Sequence, residues 1–181
     1  MISSPTSPPF RTLDGLTKKF RGHETALDKA RTAIQEAAIR HLRERNARPG
    51  KVADHTPWDR VWIGELARKA GVPPVKGPNA VGPAPTYDPD VQAAALAELD
   101  KLTAPYTRAE AGLAELTEPI YEEIRRLYQE GFTPSEIAPH TPYDANWVGE
   151  IGRGTAKPGK PRESGRVASA RRTSSRSSPA K

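Results

Sequence analysis

The side chains of this 181-residue chain that could do chemistry are concentrated in a twelve-residue segment that occurs twice, 85 residues apart. The first copy reads HTPWDRVWIGEL from His55, and the second reads HTPYDANWVGEI from His140. With Arg68 and Arg153 included, eight positions are identical, and the Trp/Tyr, Ile/Val and Leu/Ile pairs are conservative. Composition alone would not produce such agreement, so we infer two copies of one structural unit.

The chemistry that these residue types favour is binding rather than catalysis. The chain has no cysteine and four scattered histidines, and it lacks a glycine-rich phosphate loop, a nucleophile elbow or a paired-carboxylate motif. We therefore expect no enzymatic activity, no metal and no cofactor. Asp59 and Asp144 precede helical runs and are predicted N-caps. His55 and His140 end short predicted helices, where histidine often caps carbonyl groups.

The repeat extends well upstream of this segment. Pro49 matches Pro134 at the same offset, and Leu13–Thr17 (LDGLT) matches Leu99–Thr103 (LDKLT) at an offset of 86. Each copy is therefore about 60 residues long.

Helical periodicity predicts the elements that position these segments. Apolar residues between Leu16 and Leu42 recur at three- and four-residue spacing, which predicts a long amphipathic helix that Gly22 could break. The second copy carries the same apolar stripe. We expect Pro105, Gly112 and Pro119 to cut this stripe into shorter helices, because proline lacks the backbone donor that a helix interior needs. The segment Asp88-Pro89-Asp90 predicts the start of a helix that runs on to Leu102, ahead of this stripe.

Two short helices separated by Thr-Pro follow the long helix in each copy. Strand signals are nearly absent, since no alternating run of β-branched residues and no Asn-Gly hairpin occurs. The predicted fold class is all-α. With Pro49 as position one, Ala53 is fifth, Trp58 tenth, Ile63 fifteenth and Leu66 eighteenth, which is the spacing of a helix-turn-helix.

On these residues the chain resembles helix-turn-helix DNA-binding proteins common in actinobacteria and their phages and plasmids. The resemblance covers residues 27–72 and 120–158, and it departs at position nine, where Pro57 and Pro142 replace the usual glycine. It implies two tandem helix-turn-helix units, each with a long supporting helix, whose second helix enters the major groove.

The resemblance also implies which side chains face the bases. Beside the capping Asp59 and Asp144, these are Arg60, Val61, Gly64, Glu65, Arg68 and Lys69 in copy one and Ala145, Asn146, Gly149, Glu150 and Arg153 in copy two. Arg60 could read guanine and Asn146 adenine, each worth about 1–3 kcal/mol of discrimination. Glu65 and Glu150 could either form salt bridges or accept a hydrogen bond from cytosine. The two tryptophans Trp62 and Trp147 either pack on the long helix or rest an edge on sugar and phosphate.

Charge distinguishes the two copies. Residues 13–73 carry 13 Lys+Arg against 8 Asp+Glu, residues 99–158 carry 6 against 10, and residues 159–181 carry 7 against 1. Because cationic side chains that neutralise phosphates supply most non-specific affinity, copy one and the tail are expected to meet nucleic acid. Copy two is expected to dock weakly beside copy one or to act as a pairing surface.

The predicted organisation is a disordered N-terminus (1–12), unit one (13–73), a Pro/Gly-rich linker (74–90), unit two (91–158) and a disordered basic tail (159–181). We expect a bacterial, cytoplasmic and nucleoid-associated protein whose partner is double-stranded DNA, with a homodimer left open and no membrane association. Its expected role is transcriptional regulation or DNA organisation. Alternatives are a phage DNA-packaging recognition subunit, which would form a ring, and a protein-interaction scaffold.

Overall fold

A computed structural model describes residues 9–74 and 85–156 of the chain. Within these ranges every regular element is helical, in agreement with the predicted all-α class. The elements are α1 (Arg11–Arg43), α2 (Pro49–Asp54), α3 (Arg60–Lys69), α4 (Pro89–Gln129), α5 (Pro134–Ile137), a 3₁₀ turn (Ala138–His140) and α6 (Ala145–Gly152).

The two long helices are longer than the sequence predicted. α1 continues through Gly22 without a break. The prediction that prolines cut the second long helix is wrong, because α4 runs through Pro105 and Pro119 for 41 residues. Both prolines are exposed, whereas α4 buries Leu99 and Ile120. Apolar burial along one face offsets the roughly 3 kcal/mol that an interior proline costs.

The short helices begin at the predicted caps. The Asp59 carboxylate accepts from the Trp62 backbone N–H at 2.7 Å, and Asp144 accepts from Trp147 at 2.8 Å. Asp88 caps α4 by accepting from the backbone of Asp90 and Val91.

A capping box, which the sequence analysis did not identify, starts α5. Thr133 Oγ1 accepts from the Glu136 N–H, and the Thr133 backbone N–H donates to Glu136 Oε2 at 2.8 Å. The Thr133 hydroxyl also donates to Glu136 Oε2, at 2.7 Å, and the backbone and hydroxyl hydrogen bonds to this oxygen hold the pKa of Glu136 below its ordinary value.

The described helices form two compact units. One contains residues 23–112 of the chain, and the other combines the residues up to 22 with those from 113 onwards. In the 23–112 unit, α2 and α3 pack on the second half of α1 and the first half of α4, around Ile34, Val52, Ile63 and Leu99. In the other unit, α5, the 3₁₀ turn and α6 pack on the first part of α1 and the last part of α4, around Leu13, Ile120, Ile124 and Val148.

The compact units do not coincide with the predicted tandem units 13–73 and 91–158. The start of each repeat packs instead with the helix pair of the other repeat. His55 Nδ1 lies 2.8 Å from Asp100 Oδ1, and Thr103 Oγ1 donates to the His55 carbonyl at 3.1 Å.

The same arrangement recurs in the second unit. His140 Nδ1 lies 2.7 Å from Asp14 Oδ1, and Thr17 Oγ1 donates to the His140 carbonyl at 2.7 Å. The expectation that the two histidine side chains cap carbonyl groups is therefore wrong. Each imidazole binds a carboxylate, and each LDxLT segment binds the histidine of the opposite repeat.

The exchange also changes how charge is distributed. The described part of the 23–112 unit carries 12 Lys+Arg and 12 Asp+Glu, and the described part of the other unit carries 7 and 9. The contrast between a basic and an acidic copy therefore belongs to the sequence repeats and not to the compact units.

The ends of the chain differ in part from the expected organisation. Residues 9–12 are ordered, because α1 begins at Arg11 and the Phe10 ring stacks on His140 at 4.2 Å. The predicted disordered N-terminus, residues 1–12, is therefore wrong for residues 9–12. Residues 1–8, most of the predicted linker (75–84) and the predicted tail (159–181) lie outside the described residues.

Cutting the chain between residues 77 and 78 tests the exchange. We expect the two fragments, produced by a protease site inserted there into the full chain, to remain associated, because each unit takes helices from both. Gel filtration and mass analysis after cleavage measure this. Separation into two folded monomeric fragments would instead indicate independent tandem domains.

Candidate nucleic-acid interface

Helix α3 has one buried face and one open face. Ile63 is fully buried, and Trp62, Leu66 and Ala67 pack partly against the same core. The opposite face is exposed and consists of the copy-one residues singled out from the sequence, namely Arg60, Val61, Gly64, Glu65, Arg68 and Lys69. Their spacing of one and four residues places them along a single side of the helix.

The open face of α3 is cationic and accessible to a close partner. Within the described residues no carboxylate lies within 4.0 Å of the charged groups of Arg60, Arg68 or Lys69. Val61 is 73% exposed, and a Cβ built on Gly64 would meet nothing within 4 Å. Such a face can approach an anionic polymer closely, because its charges have no carboxylate partner in the part of the chain that the structure describes.

A groove continues this surface between α2 and α3. It has a volume of about 980 Å³, and its basic lining residues are Arg48, Lys51 and Arg60. The Arg48 guanidinium lies 5.4 Å from the centre of the Tyr87 ring, and Lys51 pairs with Asp54 at 3.5 Å. Arg48, Lys51 and Tyr87 were not expected at this surface, because periodicity does not show that the chain around Tyr87 returns to α2.

Aromatic contacts support α3 from behind. The Trp58 and Trp62 rings stack at 4.2 Å between centroids, and Trp58 meets Tyr106 of α4 edge-on at 6.3 Å. In the second repeat, Trp147 Nε1 donates to the Tyr121 hydroxyl of α4 at 3.2 Å. Packing on the long helix is therefore confirmed for Trp147, and Trp62 packs partly against the corresponding core.

Helix α6 presents its predicted residues differently. Val148 and Ile151 are buried as expected, but Gly149 is buried too, and Ala145 and Glu150 are half-buried. A Cβ on Gly149 would lie 3.2 Å from Arg153 Nη1 and 3.5 Å from Pro134 Cγ. The Arg153 side chain thus folds over the position that is open at Gly64.

The charge around α6 is also opposite to that around α3. Asn146 and Arg153 are exposed, but Arg153 is the one Lys or Arg in residues 134–153, which carry three carboxylates, those of Glu136, Asp144 and Glu150. Around α2 and α3 the cations Arg48, Lys51, Arg60, Arg68 and Lys69 outnumber the carboxylates Asp54, Asp59 and Glu65. The two helix pairs therefore share a sequence motif without sharing a surface.

Two further properties concern metal ligands and membrane-spanning helices. Residues 9–74 and 85–156 contain no group of three or more potential metal-ligand side chains in a position to hold an ion. No helix in the same residues is both long enough and apolar enough to cross a membrane.

No family model, curated protein or solved structure matches the chain. The geometry of the two helix pairs is therefore the basis for any functional assignment.

Glycine-to-alanine substitutions in α3 and α6 test the packing around the two helices through the free energy of unfolding. Gly64→Ala should leave the fold intact and stabilise it by up to about 1 kcal/mol, since the added methyl meets nothing and alanine favours helix. Gly152→Ala should destabilise by roughly 1–3 kcal/mol, because its Cβ would fall 2.5 Å from Tyr128 Cγ. Urea unfolding of both variants measures the difference, and a destabilised Gly64→Ala would contradict the open face.

Proposed function

We propose that this chain is a double-stranded DNA-binding protein that reads DNA with α3. In this proposal α2 and α3 form a helix-turn-helix, α3 enters the major groove, and Arg48 and Lys51 contact the phosphate backbone beside it. The observation that carries the proposal is the exposed face of α3, on which Arg60, Arg68 and Lys69 lack carboxylate partners among the described residues.

The chemistry of this face suits base recognition as well as phosphate binding. Arg60 lies in the first turn of α3, where a guanidinium can donate two hydrogen bonds to guanine O6 and N7. Val61 is the most exposed large apolar side chain beside it and suits contact with a thymine methyl group. Gly64 allows the helix backbone to approach the bases.

We propose that α6 does not read DNA in the same way. Gly149 is covered, its neighbouring charges are mainly acidic, and Ala145 replaces the arginine of the first copy. The DNA site read by one chain would then be a single asymmetric half-site and not a palindrome, although the chain repeats its sequence. The role proposed for the protein is transcriptional regulation or DNA organisation in a bacterium or its mobile element, with action at the nucleoid.

Removing the two arginines of α3 tests the proposal. Arg60→Ala combined with Arg68→Ala should weaken binding to a selected duplex at least about 30-fold, since each contact contributes about 1–3 kcal/mol. Fluorescence anisotropy at 50 and 200 mM salt measures affinity, and the double variant should also show a smaller salt dependence.

The sequence repeat provides the matched control for this experiment. Asn146→Ala combined with Arg153→Ala changes two exposed residues of α6 and should alter the affinity less than threefold. Equal losses in the two double variants would contradict the assignment of reading to α3. Unchanged binding after loss of both α3 arginines would reject the proposed DNA-facing surface.

A second variant blocks the surface without removing charge. Gly64→Gln should preserve the melting temperature, because nothing lies within 4 Å of the new Cβ, yet reduce DNA affinity at least tenfold by keeping the helix backbone away from the bases. Gly15→Gln is the control, since Gly15 is an equally open helical glycine on α1. Full DNA affinity in Gly64→Gln would show that α3 does not approach the bases closely.

A further inference from the structure

A cavity of about 420 Å³ lies beside α3 in the 23–112 unit. Its wall combines the end of α1, one side of α3 that includes Gly64 and Arg68, and the chain on either side of residues 75–84. Leu42, Ala47, Ile63, Ala67, Val72 and Tyr87 are among the other lining residues. A volume of this size and a mainly apolar lining are typical of sites for small organic molecules.

Residues that line or adjoin the cavity differ in size between the two repeats. Ala47 corresponds to Phe132, whose ring packs on the core of the other unit and contacts Phe10 at 5.0 Å. Ala67 corresponds to Gly152, and Tyr128 lies directly against that glycine. Phe132 thus places an aromatic ring where the first repeat has only the methyl group of Ala47, whereas Tyr128, which packs on Gly152, corresponds to Arg43.

One cation lies on the wall of this apolar cavity. Arg68 lines it, and among the described residues no carboxylate lies within 4.0 Å of the Arg68 guanidinium. A ligand that filled the cavity with an apolar body and carried one negative charge would pair with this guanidinium. A neutral ligand of the same shape would lose that interaction.

We propose that this cavity binds a small apolar organic anion, such as an aromatic or aliphatic carboxylate. The apolar body would contact Ala47, Ile63 and Ala67, and the anionic group would meet Arg68. Because Arg68 also belongs to the proposed DNA-reading face, the bound anion would neutralise part of that face and weaken DNA binding. This second step rests on the proposed function, whereas ligand binding itself does not.

A pair of fluorescent compounds that differ in charge tests ligand binding. The full chain should bind 1-anilinonaphthalene-8-sulfonate with an increase in fluorescence, and it should bind N-phenyl-1-naphthylamine, which lacks the sulfonate, at least fivefold more weakly. Arg68→Gln should weaken binding of the sulfonate compound only, so that the variant no longer prefers it to the uncharged compound. An equal loss for both compounds, or no preference in the unmodified protein, would overturn the role of Arg68.

Filling the cavity tests its location. Ala47→Phe, which installs the residue of the second repeat, should reduce sulfonate binding at least tenfold, and so should Ala67→Leu. Ala26→Phe adds the same ring at an exposed position of α1 and should leave binding unchanged. Thermal unfolding establishes that each variant is folded, and methyl NMR of the unmodified protein should show shifts at Ala47, Ala67 and Val72 on titration.

The remaining outcomes separate this proposal from the proposed function. Sulfonate binding that survives in folded Ala47→Phe and Ala67→Leu, or is absent from the unmodified protein, overturns the ligand site. Binding that appears only after residues 75–84 are replaced by Gly and Ser would assign the cavity to the chain's own linker and also overturn it. Binding that behaves as expected in a protein without DNA affinity would support the ligand site and reject the DNA proposal.

Discussion

The structure depends on one interaction made twice, in which the histidine that ends a short helix of one repeat is held by the LDxLT segment of the other. In each case an imidazole nitrogen lies within hydrogen-bond distance of an aspartate, and a threonine hydroxyl donates to the histidine carbonyl. The adjacent leucines, Leu13 and Leu99, are fully buried. A helix pair of this length cannot bury an apolar core alone, so neither repeat supplies a complete unit.

This exchange explains why the long helices tolerate features that normally end a helix. Each one contributes to both compact units and therefore has apolar partners at either side of its interrupting residues. The exposed placement of Pro105 and Pro119 confines their effect to the solvent side of α4. Tertiary burial, and not local propensity, keeps α4 continuous.

Within that shared scaffold the two helix pairs have diverged through a few small residues. Gly64 is open where Gly149 is covered, and Ala47 leaves space where Phe132 fills it. The open outer face and the cavity beside it both include residues of α3, and Gly64 and Arg68 border both. The proposed DNA reading and the proposed ligand binding would therefore act on one helix, while the second pair completes the scaffold.

The sequence by itself determined the all-α class, the two copies of the helix pair, the aspartate caps and the apolar side of each helix, because these depend on periodicity and on contacts within a few residues. The residues that the resemblance singled out on α3 are exposed together, and their contact with DNA stays a prediction. Only the tertiary structure decided that LDxLT segments serve the opposite repeat, that α4 is continuous, and that Gly149 is covered while Gly64 is open. Those outcomes depend on contacts between residues as far apart as Asp14 and His140, and the spacing of residues along the chain does not encode which distant side chains meet.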